Sequence, residues 1–492
     1  MDLKIKLLKW TAGIPVAMLK KETAEKIGLR AKDKVSIKTS SGKEFSTILD
    51  IVKSGLIKKK EIAVSSEVKK ILNLKRGQKV EIKISPVTKS LFYIKKKLNK
   101  KILSQKEIDK IIDDIVNNSL SEAEIALFVS AMYKHGMTFK ETLFLTKAIL
   151  KSGNKLNLKR ERIVDKHSIG GVAGNRTTPL VVSICSAVGL TFPKTSSRAI
   201  TSAAGTADVI ETIAKVDFSM RKLKEIIKKT NACMVWGGSL GMVPADSKII
   251  QVERMLKIDP KSQLLASIMS KKLAMGSNYI LIDIPYGKSA KVSKQKAKEL
   301  GREFIKLGKY FKIKIKIVLT DGSQPIGNGI GPALELKDIL DILNPKKQGP
   351  KDLQKKAIFL SSKIIEMTGK AKNKKSIEMA EKTLSSGKAF EKFKQIIKAQ
   401  KGSLKKIILS KIKKNILAKK SGKIYEIDNK KITSLARVAG CPGDKFAGLY
   451  LYVHKRDKVK KGDKILTIYA ESQSRLKEAF NFYKKTKIIS IK

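Results

Sequence analysis

Between Val164 and Asp217 two polar loops interrupt an otherwise apolar stretch, and few folds can host both. The first follows Val164-Asp165-Lys166-His167-Ser168, carries Gly170, Gly171 and Gly174, and ends on Asn175-Arg176-Thr177-Thr178. The apolar run from Pro179 to Leu190 then predicts a buried helix with proline near its first turn. The second loop, Thr195 to Ser202, is rich in Ser and Thr, contains Arg198 and closes on Gly205-Thr206. Glycine lets the backbone approach an anion, N–H groups at a helix start point towards it, and hydroxyls add donors. One glycine-rich turn before a helix is often only a turn. Two of them, with Lys166, His167 and Arg198 close by, predict a phosphate-handling site. Neither has the G-x-G-x-x-G or G-x-x-x-x-G-K-[ST] spacing of dinucleotide or P-loop sites.

The charge of +61 on 492 residues argues at first for a nucleic-acid partner. Of the 105 basic residues, however, about 12 are arginine, and aromatics make up only 5%. Base readers lean on arginine and on aromatic stacking. Lysines spread along the whole length read as solvent faces, so no specific nucleic acid is expected. The excess charge still draws in phosphorylated substrates. Cys185, Cys233 and Cys441 lie far apart without metal spacing, which suits a reducing cytoplasm. His135, His167 and His454 form no metal motif, so no metal is expected. No apolar run reaches the length of a membrane span, and no export signal is legible.

Fold class reads as α/β and multi-domain. Residues 1–84 contain an internal echo, IGLRAKDKVSIK at 27–38 and LNLKRGQKVEIK at 72–83. It predicts a small pseudo-symmetric, barrel-like β domain with Val35, Ile37, Val80 and Ile82 facing inward. Residues 85–160 are helical, with Ile108, Ile111, Ile112 and Ile115 at helical spacing and Ser121/Glu124 as a capping box. Part of 240–275 is expected to complete this helical lobe. Residues 161–420 alternate strands and helices, predicting an α/β domain around a mixed sheet with its ligand loops beyond the strand ends. Residues 421–492 read as a β-rich domain.

Four separated stretches, DKHSIGGVAGNRTT, SSRAITSAAGTAD, MVPADSK and ASIMSKK, resemble the thymidine and pyrimidine-nucleoside phosphorylase family, most of all its archaeal, AMP-cleaving branch. The resemblance spans nearly the whole chain. It implies a helical lobe and an α/β lobe forming an active-site cleft, an extra N-terminal domain, and homodimers or larger homo-oligomers. The reaction implied is phosphorolysis of AMP, with CMP and UMP as further substrates. Free base and ribose 1,5-bisphosphate are the products, inorganic phosphate is the co-substrate, and no cofactor is needed. A pyrimidine-nucleoside phosphorylase is the alternative enzyme; a basic nucleic-acid-binding protein is the alternative without chemistry. Anthranilate phosphoribosyltransferase, a relative in fold, is disfavoured because its magnesium carboxylates cannot be placed.

By the same resemblance Lys166, Ser168, Thr178 and Ser196 bind phosphate, Thr178 only across a one-residue insertion. The nucleotide falls to Gly171, to Ser197, Arg198, Ala199, Ile200, Thr201 and Ser202, and to Thr206, Ser267 and Lys291. Thr206 also aligns with phosphate positions. Ser202 and Ala204 replace the histidine and glycine of thymidine enzymes, consistent with a different base. Ser267 and Lys271 align with base contacts and, four apart on a helix, share a face. Lys291 stands where nucleoside enzymes place an apolar residue, so it suits a 5′-phosphate. Asp259 is the expected general acid, its proton retained by burial beside Met255, Leu256 and Ile258; otherwise Asp-Pro here is a helix start.

Overall fold

Six strands near the N-terminus, β1 (Asp2–Leu7), β2 (Val16–Lys20), β3 (Lys34–Thr39), β4 (Glu44–Val52), β5 (Glu61–Val64) and β6 (Lys79–Ile84), close into a barrel in the order β1-β5-β2-β4-β3-β6. The two echo strands β3 and β6 are antiparallel neighbours, with Ile37 opposite Ile82. Val35, Ile37, Val80 and Ile82 are all buried in the barrel core, as alternation requires. Exchanging β2 with β5, β3 with β6 and β4 with β1 reproduces the sense of every pairing. The barrel is therefore a two-fold duplication whose first strand completes the second copy.

The computed structural model describes residues 1–492 except 9, 13, 14, 54, 86, 87, 159, 200, 201, 405 and 406. It falls into two units, Met1–Ser152 with Pro244–Ala266, and Gly153–Val243 with Ser267–Lys492. In the first, the barrel is followed by the helices Lys89–Leu98, Gln105–Val116, Glu122–His135 and Phe139–Lys151. Ser104/Glu107, Ser121/Glu124 and Thr138/Glu141 each make a reciprocal capping box at a helix start. Ile108, Ile111, Ile112 and Ile115 are fully buried. The later helix Pro244–Leu256 packs on this bundle: its Lys248 Nζ donates to Ile115 O and Val116 O, both at 2.8 Å, capping the C-terminal end of helix Gln105–Val116.

The second unit is built on β7 (Val164–Ser168), β8 (Phe192–Ser196), β9 (Ala232–Trp236), β10 (Tyr279–Tyr286) and β11 (Lys314–Asp321). β11, β10 and β7 form one sheet, β8 and β9 another, and a parallel bridge between Ile163 and Thr191 joins the base of β7 to that of β8. Every pair is parallel. The mixed sheet expected from the sequence is thus corrected to a parallel one, because each successive strand is reached through a helical crossover. Helix Thr177–Ala187 is buried among Val164, Leu281 and the helices Lys351–Met367 and Lys388–Ala399. Gly301 and Gly308 bring helix Lys294–Tyr310 onto β11, where an added Cβ would meet Ile317 at 3.0 Å and Ile315 at 2.7 Å.

The antiparallel strands of this unit lie elsewhere. β12 (Gly329–Ile330), β13 (Lys413–Leu417), β14 (Gly422–Ile427), β15 (Gly448–Leu451), β16 (Lys458–Val459), β17 (Lys464–Tyr469) and β18 (Ile489–Ile491) follow in the chain. They form two sheets, β12-β15-β17-β13 and β16-β14-β18, around their own apolar core. Among the described residues no helix is long and apolar enough to cross a membrane.

Candidate active site

The chain runs β7, β8, β9 to one side and then returns to place β10 and β11 on the other side of β7. Between β7 and β10 the strand order reverses, and open parallel sheets bind ligands beyond the strand C-termini at such a point. Ser168 at the end of β7 is register partner of Asp283 in β10. The loop after β7 carries Gly170 and Gly171 at φ of 85° and 88°, which favours glycine. A Cβ on Gly171 would lie 2.5 Å from the backbone N of Lys291, in the turn after β10. Gly171 and Lys291, both expected at the nucleotide, are therefore in contact. Gly171→Ala is expected to combine a strained φ with this clash and destabilise the loop by about 1–3 kcal/mol, read as a lowered unfolding midpoint.

Beneath these loops the strands carry buried charge. Lys166 is 1% exposed, and its Nζ donates to Thr177 Oγ1 at 2.7 Å, at the start of helix Thr177–Ala187. Burial pulls this ammonium down to about 8, against the attraction of Asp283; Lys356 and Arg176 lower it further. Asp165 is paired with Lys194 (3.0 Å) and Lys272 (2.7 Å), and Lys356 lies 3.3 Å from Asp283. Burial opposes ionisation of both carboxyls, yet the neighbouring lysines hold them below the usual aspartate range. Burial likewise pulls Lys272 down. His167 is kept neutral, its pKa well below the ordinary value through burial and then through Lys272, Lys194, Lys271 and Lys166. Four lysines here face two aspartates. That imbalance suits an incoming oxyanion.

The second loop is tied to its own helix. Asp208 Oδ2 accepts from Ala199 N and Gly205 N, both at 2.7 Å. A Cβ on Gly205 would meet Ser197 O at 2.5 Å, which explains the glycine. Arg198 makes a two-pronged contact with Glu211 (2.6 Å twice) and stacks over Trp236. Arg176 joins the two loops: it donates to Thr206 Oγ1 (3.1 Å) and Ala204 O (2.6 Å) and pairs with buried Glu335 (2.7 Å). Ser196 Oγ donates to Val235 O (3.4 Å), exposed Ser202 donates to Ala204 O (3.0 Å), and Thr178 is buried. Ile200 and Thr201 lie outside the described residues. Lys271 Nζ donates to Ser267 Oγ at 2.9 Å, so this pair does share a helix face.

Asp259, in the first unit, departs from the environment expected of it. It is exposed in the turn between helices Pro244–Leu256 and Lys261–Ala274, and Met255 and Leu256 are 55% and 39% exposed. Lys257 at φ 55° turns the chain out of the preceding helix, so apolar sequence neighbours provide no cover. Arg176, Thr177, Asp283 and Lys272 were not singled out by sequence reasoning. Arg176 and Thr177 had a signal, lying inside the first motif; Lys272 is the unremarked neighbour of Lys271.

Family models fit this architecture piece by piece. "Glycosyl transferase family, helical bundle domain" matches residues 92–153, "Glycosyl transferase family, a/b domain" matches 160–390, and "Pyrimidine nucleoside phosphorylase C-terminal domain" matches 423–490. The AMP phosphorylase of Thermococcus kodakarensis is 43% identical over 496 residues, covering 100% of this chain and 98% of the relative. That of Pyrococcus furiosus is 43% identical (99% and 97% covered), and that of Methanocaldococcus jannaschii 46% identical (89% and 88%). The chain belongs to the AMP phosphorylase family. Among solved structures, anthranilate phosphoribosyltransferases from Thermus thermophilus and Saccharomyces cerevisiae share the fold alone. Each has a TM-score of 0.53 and 16% identity over 63% of this chain, with 99% and 98% of their own chains covered.

Proposed function

We propose that the protein catalyses reversible phosphorolysis of AMP, with CMP and UMP as further substrates. The observation that carries this reading is the full-length likeness to AMP phosphorylases, supported by the lysine-rich cluster at the strand reversal. A phosphate oxygen attacks the anomeric carbon of ribose as the bond to adenine breaks, through an oxocarbenium-like state. The bonding pair leaves with the base, which takes a proton from Asp259. Phosphate gives up its own proton on becoming the ester, so the acid is restored and charge balances. Lys166, Ser168, Thr178 and Ser196 hold phosphate. Gly171, the loop from Ser197 to Ser202, Thr206, Ser267 and Lys291 hold the nucleotide, and Lys271 supports Ser267.

Incubation of the purified protein with AMP and orthophosphate is expected to release adenine, measured chromatographically. A preference for thymidine overturns the reading. Lys291 pairs with the 5′-phosphate, and a hydrogen bond to a charged group contributes roughly 1.5–3 kcal/mol. Lys291→Ala is therefore expected to weaken AMP binding tenfold or more, as about 1.4 kcal/mol per decade implies, and to leave adenosine binding unchanged. Equal loss for both removes Lys291 from that role. The three described cysteines are free and buried, which supports a cytoplasmic protein. Homo-oligomeric assembly belongs to the same reading, on the likeness to the family alone.

A further inference from the structure

We infer that Asn429 is a positioning residue: from the C-terminal segment it holds the glycine loop and the Lys291 turn at the spacing a 5′-phosphorylated substrate needs. The inference rests on the AMP reading above. Asn429 is 1% exposed and opens helix Asn429–Val438. The helix start is capped without it, because the Asp428 carboxylate accepts from Lys430 N and Lys431 N. The Asn429 carboxamide is spent entirely on other loops. Its Oδ1 accepts from Ala173 N (3.0 Å), and its Nδ2 donates to Ser289 Oγ (3.1 Å) and Gly322 O (3.0 Å). Its backbone N–H also donates to Ser289 Oγ (3.4 Å).

Two of those partners are close in sequence to the proposed nucleotide contacts. Ala173 is two residues beyond Gly171, and Ser289 two before Lys291. The same loops also touch one another: a Cβ on Gly322 would lie 3.1 Å from each of Ala290, Pro285 and Val172. The loops are thus packed against one another and laced by one amide. One acceptor and two donors in a plane are what a carboxamide offers; a carboxylate cannot donate to Gly322 O, and an alanine releases Ala173 N and Gly322 O and leaves Ser289 only the backbone N–H. Loss of the lacing lets the Gly171–Lys291 contact open, which weakens whatever Lys291 binds more than it weakens the rest of the substrate.

The test uses full-length wild type, Asn429→Ala and Ser289→Ala, with calorimetric binding of AMP and of adenosine, adenine release from AMP, and unfolding midpoints. If wild type releases no adenine from AMP, the AMP reading fails and this inference with it. If wild type is active, Asn429→Ala is expected to weaken AMP binding about tenfold, the scale of one buried polar contact, and adenosine binding by less than about threefold. Turnover at saturating AMP should stay within about threefold. Ser289→Ala, which removes one partner, should shift the AMP-to-adenosine ratio the same way by less. A ratio unchanged in both variants overturns the inference. So does a parallel loss for both ligands with a lowered unfolding midpoint, the mark of a merely structural amide. If Asn429→Ala does not fold, the ratio in Ser289→Ala decides alone.

Discussion

With asparagine at position 259, turnover of AMP is expected to fall by roughly a hundredfold or more, the range for loss of a general acid, while AMP still binds. Asparagine keeps the shape and hydrogen-bonding capacity of the side chain but has no carboxyl proton to give the leaving base. The observed environment sharpens the expectation. Asp259 sits exposed after the helix Pro244–Leu256, so its own neighbours do not strip it of water. In the proposed mechanism, exclusion of water by the bound nucleotide supplies that desolvation. Steady-state adenine release from AMP against calorimetric AMP binding separates the two effects; unchanged turnover in Asp259→Asn takes the residue out of the mechanism.

Much of the fold was legible because its signals are local. The echo at 27–38 and 72–83 placed Val35, Ile37, Val80 and Ile82 inside a barrel, and strand alternation alone suffices for that. The Ser121/Glu124 box and the isoleucine stripe at 108–115 are likewise one-helix patterns. Strand sense is not local: the apolar run of β10 and the alternation of β11 read the same whether their partners are parallel or antiparallel, so a mixed sheet was as consistent with the pattern as the parallel one found. Burial of Asp259 failed for a related reason. Met255 and Leu256 look like core in sequence, but both are exposed in the last turn of a helix that left-handed Lys257 ends. At the candidate site, glycine and hydroxyl density marked the two loops, whereas the groups that tie them come from far away. Arg176 reaches Glu335 and Asn429 reaches Ala173, and no window of sequence contains both ends. The lysines were hidden by number: neighbouring residues on a helix point about 100° apart, so Lys271 meets Ser267 while Lys272 is buried on Asp165.

Methionine in place of Lys166 is expected to raise the KM for phosphate by about thirtyfold or more, since removing one partner of a buried charge contact costs roughly 2–5 kcal/mol. The same residue sets a pH dependence. Its pKa is pulled down to about 8, chiefly by burial, so the ammonium is present below that pH and lost above it. Wild-type phosphate KM should therefore climb by about tenfold per pH unit above roughly 8, as for one required proton, and the Lys166→Met protein should lack that break. Stability runs the other way. An ordinary lysine titrates near 10.4, so the unfolded chain holds this proton more tightly than the folded one. Lys166 thus disfavours folding below about pH 8, and the penalty is relieved as pH rises from there towards 10. Lys166→Met should accordingly unfold no earlier than wild type at pH 7 without phosphate, and phosphate should raise the wild-type midpoint but not the variant's. A variant with unaltered phosphate KM, or one in which phosphate still protects, would place the attacking anion away from the end of β7.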